Sequence, residues 1–196
     1  MMFRRLATMC LSAALAFSTI SCSDDDDDVK DVFDGEIVAI KSATISTGNS
    51  RKNAEGNTYY RHYLILTGTG IEVDGDKITG KGDMLTVSFN SSAENIADGT
   101  YTLEGYSEIL SDKLFDVNYS FFFRNYEMSK STYEPGSVNG FDELTMTISK
   151  SGANYTIKIT GKAYEMANPD AQFDKTKPSK LFKAEYKGTL HDMQGS

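Results

Sequence analysis

The sequence is poor in the residues on which many catalytic and cross-linked proteins depend. Its 196 residues include two cysteines, two histidines, three prolines and no tryptophan. Acidic residues outnumber basic ones by 28 to 20, which gives a formal net charge of −8. A surface of this sign repels nucleic acid and anionic lipid headgroups, so neither is expected as a partner.

The motifs of the common catalytic sites are also missing. There is no Gly-x-Ser-x-Gly elbow, no His-Glu-x-x-His pair, no glycine-rich phosphate loop and no cysteine pair. His62 lies in an apolar stretch, where a buried structural histidine is more common than a zinc ligand, and His191 lies near the C-terminus. Acidic residues are plentiful, but no spacing singles out a carboxylate pair of the glycosidase kind. We therefore predict no catalytic residue, no metal site and no cofactor.

The first 21 residues have the layout of an export signal. Arg4 and Arg5 precede an apolar stretch, residues 6–20, which is too short to span a bilayer because a spanning helix needs about 20 apolar residues. Thr19-Ile20-Ser21-Cys22 resembles the lipobox of bacterial lipoproteins, although leucine is usual where Thr19 stands. The resemblance implies cleavage before Cys22, acylation of its sulfur and a lipid anchor in the outer membrane.

An acidic run follows the cysteine. It resembles the surface-export signal of lipoproteins from Gram-negative gut anaerobes, which implies that the protein faces the cell exterior. Two other interpretations are a solvated, self-repelling spacer and a chance calcium site. The residues of the run are Ser23, Asp24, Asp25, Asp26, Asp27 and Asp28.

The chain after the signal is expected to form one domain. Loss of 21 residues leaves 175, and loss of two arginines moves the net charge from −8 to −10. Cys10 departs with the signal and Cys22 is the predicted acylation site, so no disulfide can stabilise the remainder. We predict an acidic linker over residues 22–34 and a single β domain over residues 35–196, held to the membrane by lipid and stabilised by packing.

The β prediction rests on short apolar stretches separated by turn residues. Asp74-Gly75-Asp76 is typical of a tight hairpin turn, and a calcium site there is the less favoured alternative. Ser91 and Glu94 fit a capping box for one helical turn. The predicted strands lie within residues 36–46, 59–67, 71–73, a short segment at Ile78, and residues 85–89, 101–103, 115–123, 144–149, 155–159 and 182–190.

The most regular of these stretches is residues 115–123. Its odd positions are apolar and most of its even positions are polar, which predicts one half-buried strand. In this interpretation Phe121 faces the core and Ser120 faces solvent. An aromatic stripe of this kind could also line a ligand cavity.

About ten strands without a long helix predict an antiparallel two-sheet β-sandwich. A closed lipocalin-like β-barrel is the alternative, which short strands and the missing tryptophan disfavour. Residues 98–103 and 186–190 are loosely similar to segments of small uncharacterised all-β surface lipoproteins, and that similarity implies a fold type without an activity.

Counting strand directions places two long connections, residues 125–141 and 165–181, at one end of the domain. All three prolines fall within them. Tyr126, Tyr133 and Phe173 are therefore the candidate ligand-binding residues, with packing over the end of the sandwich as the alternative interpretation.

These observations predict a surface-exposed outer-membrane lipoprotein that acts as a binding or adhesion module. The candidate ligands are a glycan, haem or a host protein. A structural or accessory subunit of an envelope complex is the second hypothesis, and an enzyme of unrecognised type is the third.

Overall fold

A computed structural model describes residues 35–75, 77–103, 112–113, 115, 119–129, 138–167 and 178–193. They belong to one compact unit, Phe33–Ser196. The strands are β1 Glu36–Ala39, β2 Ser42–Lys52, β3 Thr58–Thr67, β4 Ile71–Asp74, β5 Lys77–Ser91, β6 Gly99–Thr102, β7 Phe121–Glu127, β8 Val138–Ser151, β9 Asn154–Met166, β10 Ser179–Gly188 and β11 His191–Asp192.

The all-β prediction is confirmed for the described residues, which contain no helix. The strands form one hydrogen-bonded order, β1-β10-β9-β8-β7-β5-β3-β2-β11, to which β4 attaches beside β5 and β6 beside β8. Two neighbouring pairs are parallel, β1 with β10 and β11 with β2, so the expectation of a purely antiparallel sheet is wrong. The described strands form one open sheet in this order, so the two-sheet sandwich is not confirmed.

The two edges of the sheet are drawn together by the chain itself. β1 and β2 lie seven steps apart in the order, roughly 34 Å on a flat sheet, yet only Ile40 and Lys41 separate them, which limits the gap to about 11 Å. β10 and β11 are joined in the same way by Thr189 and Leu190. The sheet must therefore curl strongly. The curled sheet does not close into a complete barrel, because among the described positions no ladder pairs residues 40–43 with residues 186–190.

The main core lies on the inner face of this curl. Inward-facing residues alternate along each strand, as on β10, where Phe182, Ala184 and Tyr186 are at most 8% exposed and the intervening residues are more accessible. Every strand of the central order from β2 to β10 contributes to this core. It includes Leu64, Leu66, Leu85, Val87, Phe89, Tyr101, Phe122, Phe141, Leu144, Met146, Ile148, Ile157, Ile159 and Phe182.

A smaller apolar cluster lies on the outer face, beneath the β4–β5 hairpin. Gly75 adopts φ 56° in the turn of that hairpin, which confirms the predicted Asp-Gly turn. We call the buried set the outer cluster; it consists of Ile71, Met84, Phe123, Val138, Tyr164 and Met166. The hairpin therefore covers apolar residues that would otherwise face solvent.

The prediction of one strand over residues 115–123 is wrong. Phe115 forms only an isolated bridge with Phe89, and β7 begins at Phe121. In β7 the even-numbered positions face inward, opposite to the prediction. Phe122 is 1% exposed in the main core, while Phe121 packs against the outer cluster. Ser120 is buried, and its hydroxyl accepts a hydrogen bond from the Ser88 backbone N–H at 3.1 Å. Alternation of residue types cannot reveal such a phase change.

The predicted helical turn after Ser91 is also wrong. The Ser91 hydroxyl accepts a hydrogen bond from the Ala93 backbone N–H at 3.1 Å, and the Asp112 carboxylate accepts one from the Ser92 N–H at 2.6 Å. These side chains satisfy the backbone locally, and residues 92–95 form a bend instead of a helix.

Candidate functional site: a mouth pocket at one end of the curled sheet

A cavity of about 410 Å³ opens at one end of the inner face. This volume falls in the range of about 300–1,000 Å³ that is typical of small-molecule sites. We call it the mouth pocket. Its lining consists of Glu36, Phe122, Arg124, Asn139, Ala163, Glu165, Pro178, Lys180, Leu181 and Phe182.

The pocket exists because the inward-facing positions change from apolar to polar near the strand ends. On β10 the inward residue before Phe182 is Lys180, and on β9 the inward residue after Ala163 is Glu165. β7 repeats the pattern with Arg124 after Phe122. Strand alternation thus places polar groups above a buried apolar floor. The floor is aromatic, since the Phe182 ring stacks on those of Phe122 and Phe141, with centroids 6.4 and 5.4 Å away.

An ion pair crosses the mouth. The Arg124 guanidinium contacts the Glu36 carboxylate, although β7 and β1 are four steps apart in the sheet order, roughly 19 Å on a flat sheet. Arg124 also lies over the Phe122 ring, with its guanidinium carbon 4.7 Å from the centroid. Partial burial lowers the pKa of Arg124, yet an arginine remains charged throughout the accessible pH range. The pair therefore links distant strands and holds Arg124 in place.

Two other charges line the mouth without an ion-pair partner among the described residues. Lys180 and Glu165 are exposed on the neighbouring strands β10 and β9. The register pairs Lys180 with Ala163, so Glu165 is its diagonal neighbour, and such residues lie about 7–8 Å apart, with their Cβ atoms somewhat closer. Asn139 stands beside them on β8, opposite Glu165 in the ladder, and its amide donates to the Phe122 carbonyl at 3.3 Å. The mouth thus presents a free ammonium and a free carboxylate near an amide.

The interior is filled by an aromatic layer toward the other end of the sheet. We use this name for His62, Phe89, Tyr101 and Phe115. The Phe89 ring lies 5.2, 4.7 and 6.4 Å, centroid to centroid, from the rings of His62, Tyr101 and Phe115. All four residues are at most 6% exposed. None of these four residues lines the mouth pocket or the shallower cavity beside Gly35 and Ser179.

The polar atoms of this layer are satisfied within the protein. The Tyr101 hydroxyl donates to the Ala97 carbonyl at 2.8 Å. His62 Nε2 lies 3.2 Å from the Ala93 carbonyl oxygen, so it must carry the proton, and Nδ1 then accepts from the Thr47 hydroxyl at 3.0 Å. Burial lowers the pKa of His62, which favours this neutral form. His62 is therefore a structural histidine.

Of the residues proposed from the sequence as ligand contacts, Tyr126 is described by the structure and is not part of the mouth pocket. Tyr126 packs on the outer face, where its ring lies 5.1 Å from that of Phe123. Tyr133 and Phe173 lie outside the described residues, and the ligand role of all three stays a prediction. Cys22 and the acidic run Ser23, Asp24, Asp25, Asp26, Asp27 and Asp28 lie outside the described residues as well.

The expected meeting of two long connections at one end agrees with the register. Val138, the first residue of β8, pairs with Met166, the last residue of β9, so the chain leaves β7 and β9 at the same end. The mouth pocket opens at that end, but on the inner face. A polar residue at the last inward position of several strands was the signal for it. The sequence analysis missed this signal because it assigned the polar residues at the ends of these strands to the connecting loops.

No protein-family model, curated protein or solved structure matches this chain significantly. Within the described ranges, no group of three or more histidine, cysteine and acidic side chains could hold a metal ion. The same part of the chain has no helix with the length and apolar character needed to cross a membrane.

Proposed function

We propose that this protein is a lipid-anchored binding module of the bacterial cell surface, with its ligand site in the mouth pocket. The observation that carries the binding role is a ligand-sized cavity with polar walls and an apolar floor. The sequence of the first 28 residues supports the anchor and the surface location, through Cys22 and the acidic run after it. The finer architecture that we propose is a single curled sheet around one core, open at the mouth.

Ligand binding can be tested by blocking the pocket. Ala163 is 8% exposed and lines the cavity, so Ala163→Leu should fill space that a ligand needs. A thermal-shift screen of sugars, peptides, amino acids and haem against the purified full-length protein should yield a compound that raises the melting temperature, because binding to the folded state stabilises it.

The variant should lose that shift, and Ala153→Leu should keep it, because Ala153 is exposed in the β8–β9 turn. Overpacking at Ala163 costs about 1–3 kcal/mol, so the melting temperature without ligand is the reference for each variant. A shift that survives in Ala163→Leu would place the ligand elsewhere.

The anchor has its own test. Cys22→Ser should abolish acyl-chain labelling and move the protein from the membrane fraction to the soluble one, because each buried CH₂ contributes about 0.8 kcal/mol to membrane binding. Replacement of Asp24 to Asp28 by alanine should leave labelling intact and reduce protease accessibility on whole cells. Membrane association of Cys22→Ser would remove the lipoprotein part of the proposal without touching the binding part.

A further inference from the structure

We infer that the mouth pocket takes a zwitterionic ligand of amino-acid or dipeptide size, with Glu165 binding its ammonium group and Lys180 its carboxylate. This inference rests on the proposed function and adds the chemical class of the ligand. Among the described residues that line the pocket, two carry a positive charge and two a negative charge. A lining with no net charge does not select a polyanion or a polycation.

The four charges are not equivalent. Arg124 and Glu36 neutralise one another, and the guanidinium is further held by the Phe122 ring. Lys180 and Glu165 have no such partner in the described part of the chain and are bridged neither to each other nor to the first pair. Of the four charged side chains in the described lining, Lys180 and Glu165 remain available to a ligand.

A ligand that fills the pocket must displace water from both groups. Taking an unpaired ammonium or carboxylate out of water is costly, whereas a charged partner offsets much of that cost. A neutral ligand would cover two unpaired charges, and a singly charged ligand would leave one of them unpaired. A zwitterion pairs both.

The geometry limits the ligand's size. Lys180 and Glu165 are diagonal neighbours across the β9–β10 pair, and residues in this relation lie about 7–8 Å apart, with their Cβ atoms somewhat closer. The groups that they bind must therefore lie within a few ångströms of one another, as the two ends of an amino acid or dipeptide do. The cavity of about 410 Å³ is large enough for such a molecule. Its apolar wall, which includes Leu181 and Pro178, would contact the side chains.

The test uses dipeptides whose ends are blocked one at a time. The probes are L-leucyl-L-leucine, its N-acetyl derivative, its C-terminal amide, and an equimolar mixture of dipeptides with apolar, polar and charged side chains. Maltose serves as a neutral molecule of similar size. Binding to the purified full-length protein is measured by calorimetry for single probes and by native mass spectrometry for the mixture.

Each block should weaken binding about tenfold, which corresponds to the loss of one charge-assisted contact. In Lys180→Gln the free dipeptide and its amide should bind equally, while acetylation still weakens binding. Glu165→Gln should show the reverse. Lys158→Gln, on the outer face of β9, should keep both differences.

Three results would overturn the inference. They are no dipeptide bound at millimolar concentration, affinity unchanged by either block, or tighter binding of maltose. The proposed function would survive any of them if another compound gives a thermal shift that Ala163→Leu abolishes. It would fail separately if dipeptides bind but Ala163→Leu has no effect on their affinity.

Discussion

The aromatic layer and the mouth pocket occupy opposite ends of one sheet interior, and they differ in how their polar groups are satisfied. In the aromatic layer His62 and Tyr101 donate to backbone carbonyls of the same loop, and the rings fill the space between the strands. At the mouth the last inward residues are long and charged, and Lys180 and Glu165 extend into open space. The aromatic layer is part of the core, whereas the mouth pocket leaves Lys180 and Glu165 available to a ligand.

The same alternating strand pattern serves two purposes in this protein. Inward positions that hold rings stabilise the fold by burial, whereas inward positions that hold charges contribute little stability because they stay hydrated. Substitutions in the aromatic layer should therefore cost stability, and substitutions at the mouth should change binding.

The largest effect is expected at Phe89, which is 0% exposed at the centre of the aromatic layer. Phe89→Ala should lower the free energy of unfolding by about 3–5 kcal/mol, because it removes a large buried side chain and leaves a cavity. Urea denaturation followed by circular dichroism measures the loss. Phe121→Ala, on the half-buried outer face, is the matched control and should cost clearly less. Equal losses would contradict the division between the two faces.

The free energy of unfolding should depend on pH through His62, a residue of the aromatic layer. Burial lowers the pKa of His62 below its ordinary value of 6.5, so the unfolded chain takes up the proton first as the pH falls. The contribution of neutral His62 is complete above about pH 6.5 and is lost as the pH falls toward the lowered pKa, by at most about 1.4 kcal/mol per pH unit.

The measurement compares urea unfolding of the wild type and His62→Gln between pH 7.5 and 5.5. The wild type should lose more stability than the variant over this range, since glutamine does not titrate. Parallel curves would mean that His62 binds protons equally in the folded and unfolded chain.

A smaller effect is expected for the tyrosine of the aromatic layer. Tyr101→Phe removes the hydroxyl that donates to the Ala97 carbonyl at 2.8 Å and keeps the ring. The free energy of unfolding should fall by about 0.5–1.5 kcal/mol, the net value of one hydrogen bond. Tyr155→Phe, on a half-buried tyrosine of β9, is the control. A neutral Tyr101→Phe would indicate that the layer depends on its rings alone.

The smallest effect on stability is expected at the mouth. The side chains of Arg124 and Glu36 are 37% and 32% exposed, so their ion pair is partly screened by solvent. Glu36→Gln should lower the free energy of unfolding by less than about 1 kcal/mol, and added salt should reduce the difference. A loss as large as that of Phe89→Ala would show that the pair across the mouth holds the sheet in its curl.

Some of this architecture follows from local patterns. Residues 59–67 and 155–159 read as strands because apolar and β-branched residues recur with the strand period, and the structure has β3 and β9 there. The Asp74-Gly75 turn was predictable because glycine adopts positive φ without strain. Alternation along residues 182–190 predicts that Phe182, Ala184 and Tyr186 share one face, and all three are buried on β10. The end at which the chain leaves β7 and β9 followed from counting strand directions.

Residues adjacent in the chain are enough to predict the all-β class and the inward side of most strands, and they give the N-terminus its resemblance to an export signal. Three features depend on strand pairing in the folded protein: the phase change at Phe121, the curl that brings the edges of the open sheet closer together, and the contact of Arg124 with Glu36 across the mouth. The physical reason is separation along the chain. Arg124 and Glu36 become partners through the pairing of five strands, and no local pattern of residue types encodes which strands will be neighbours.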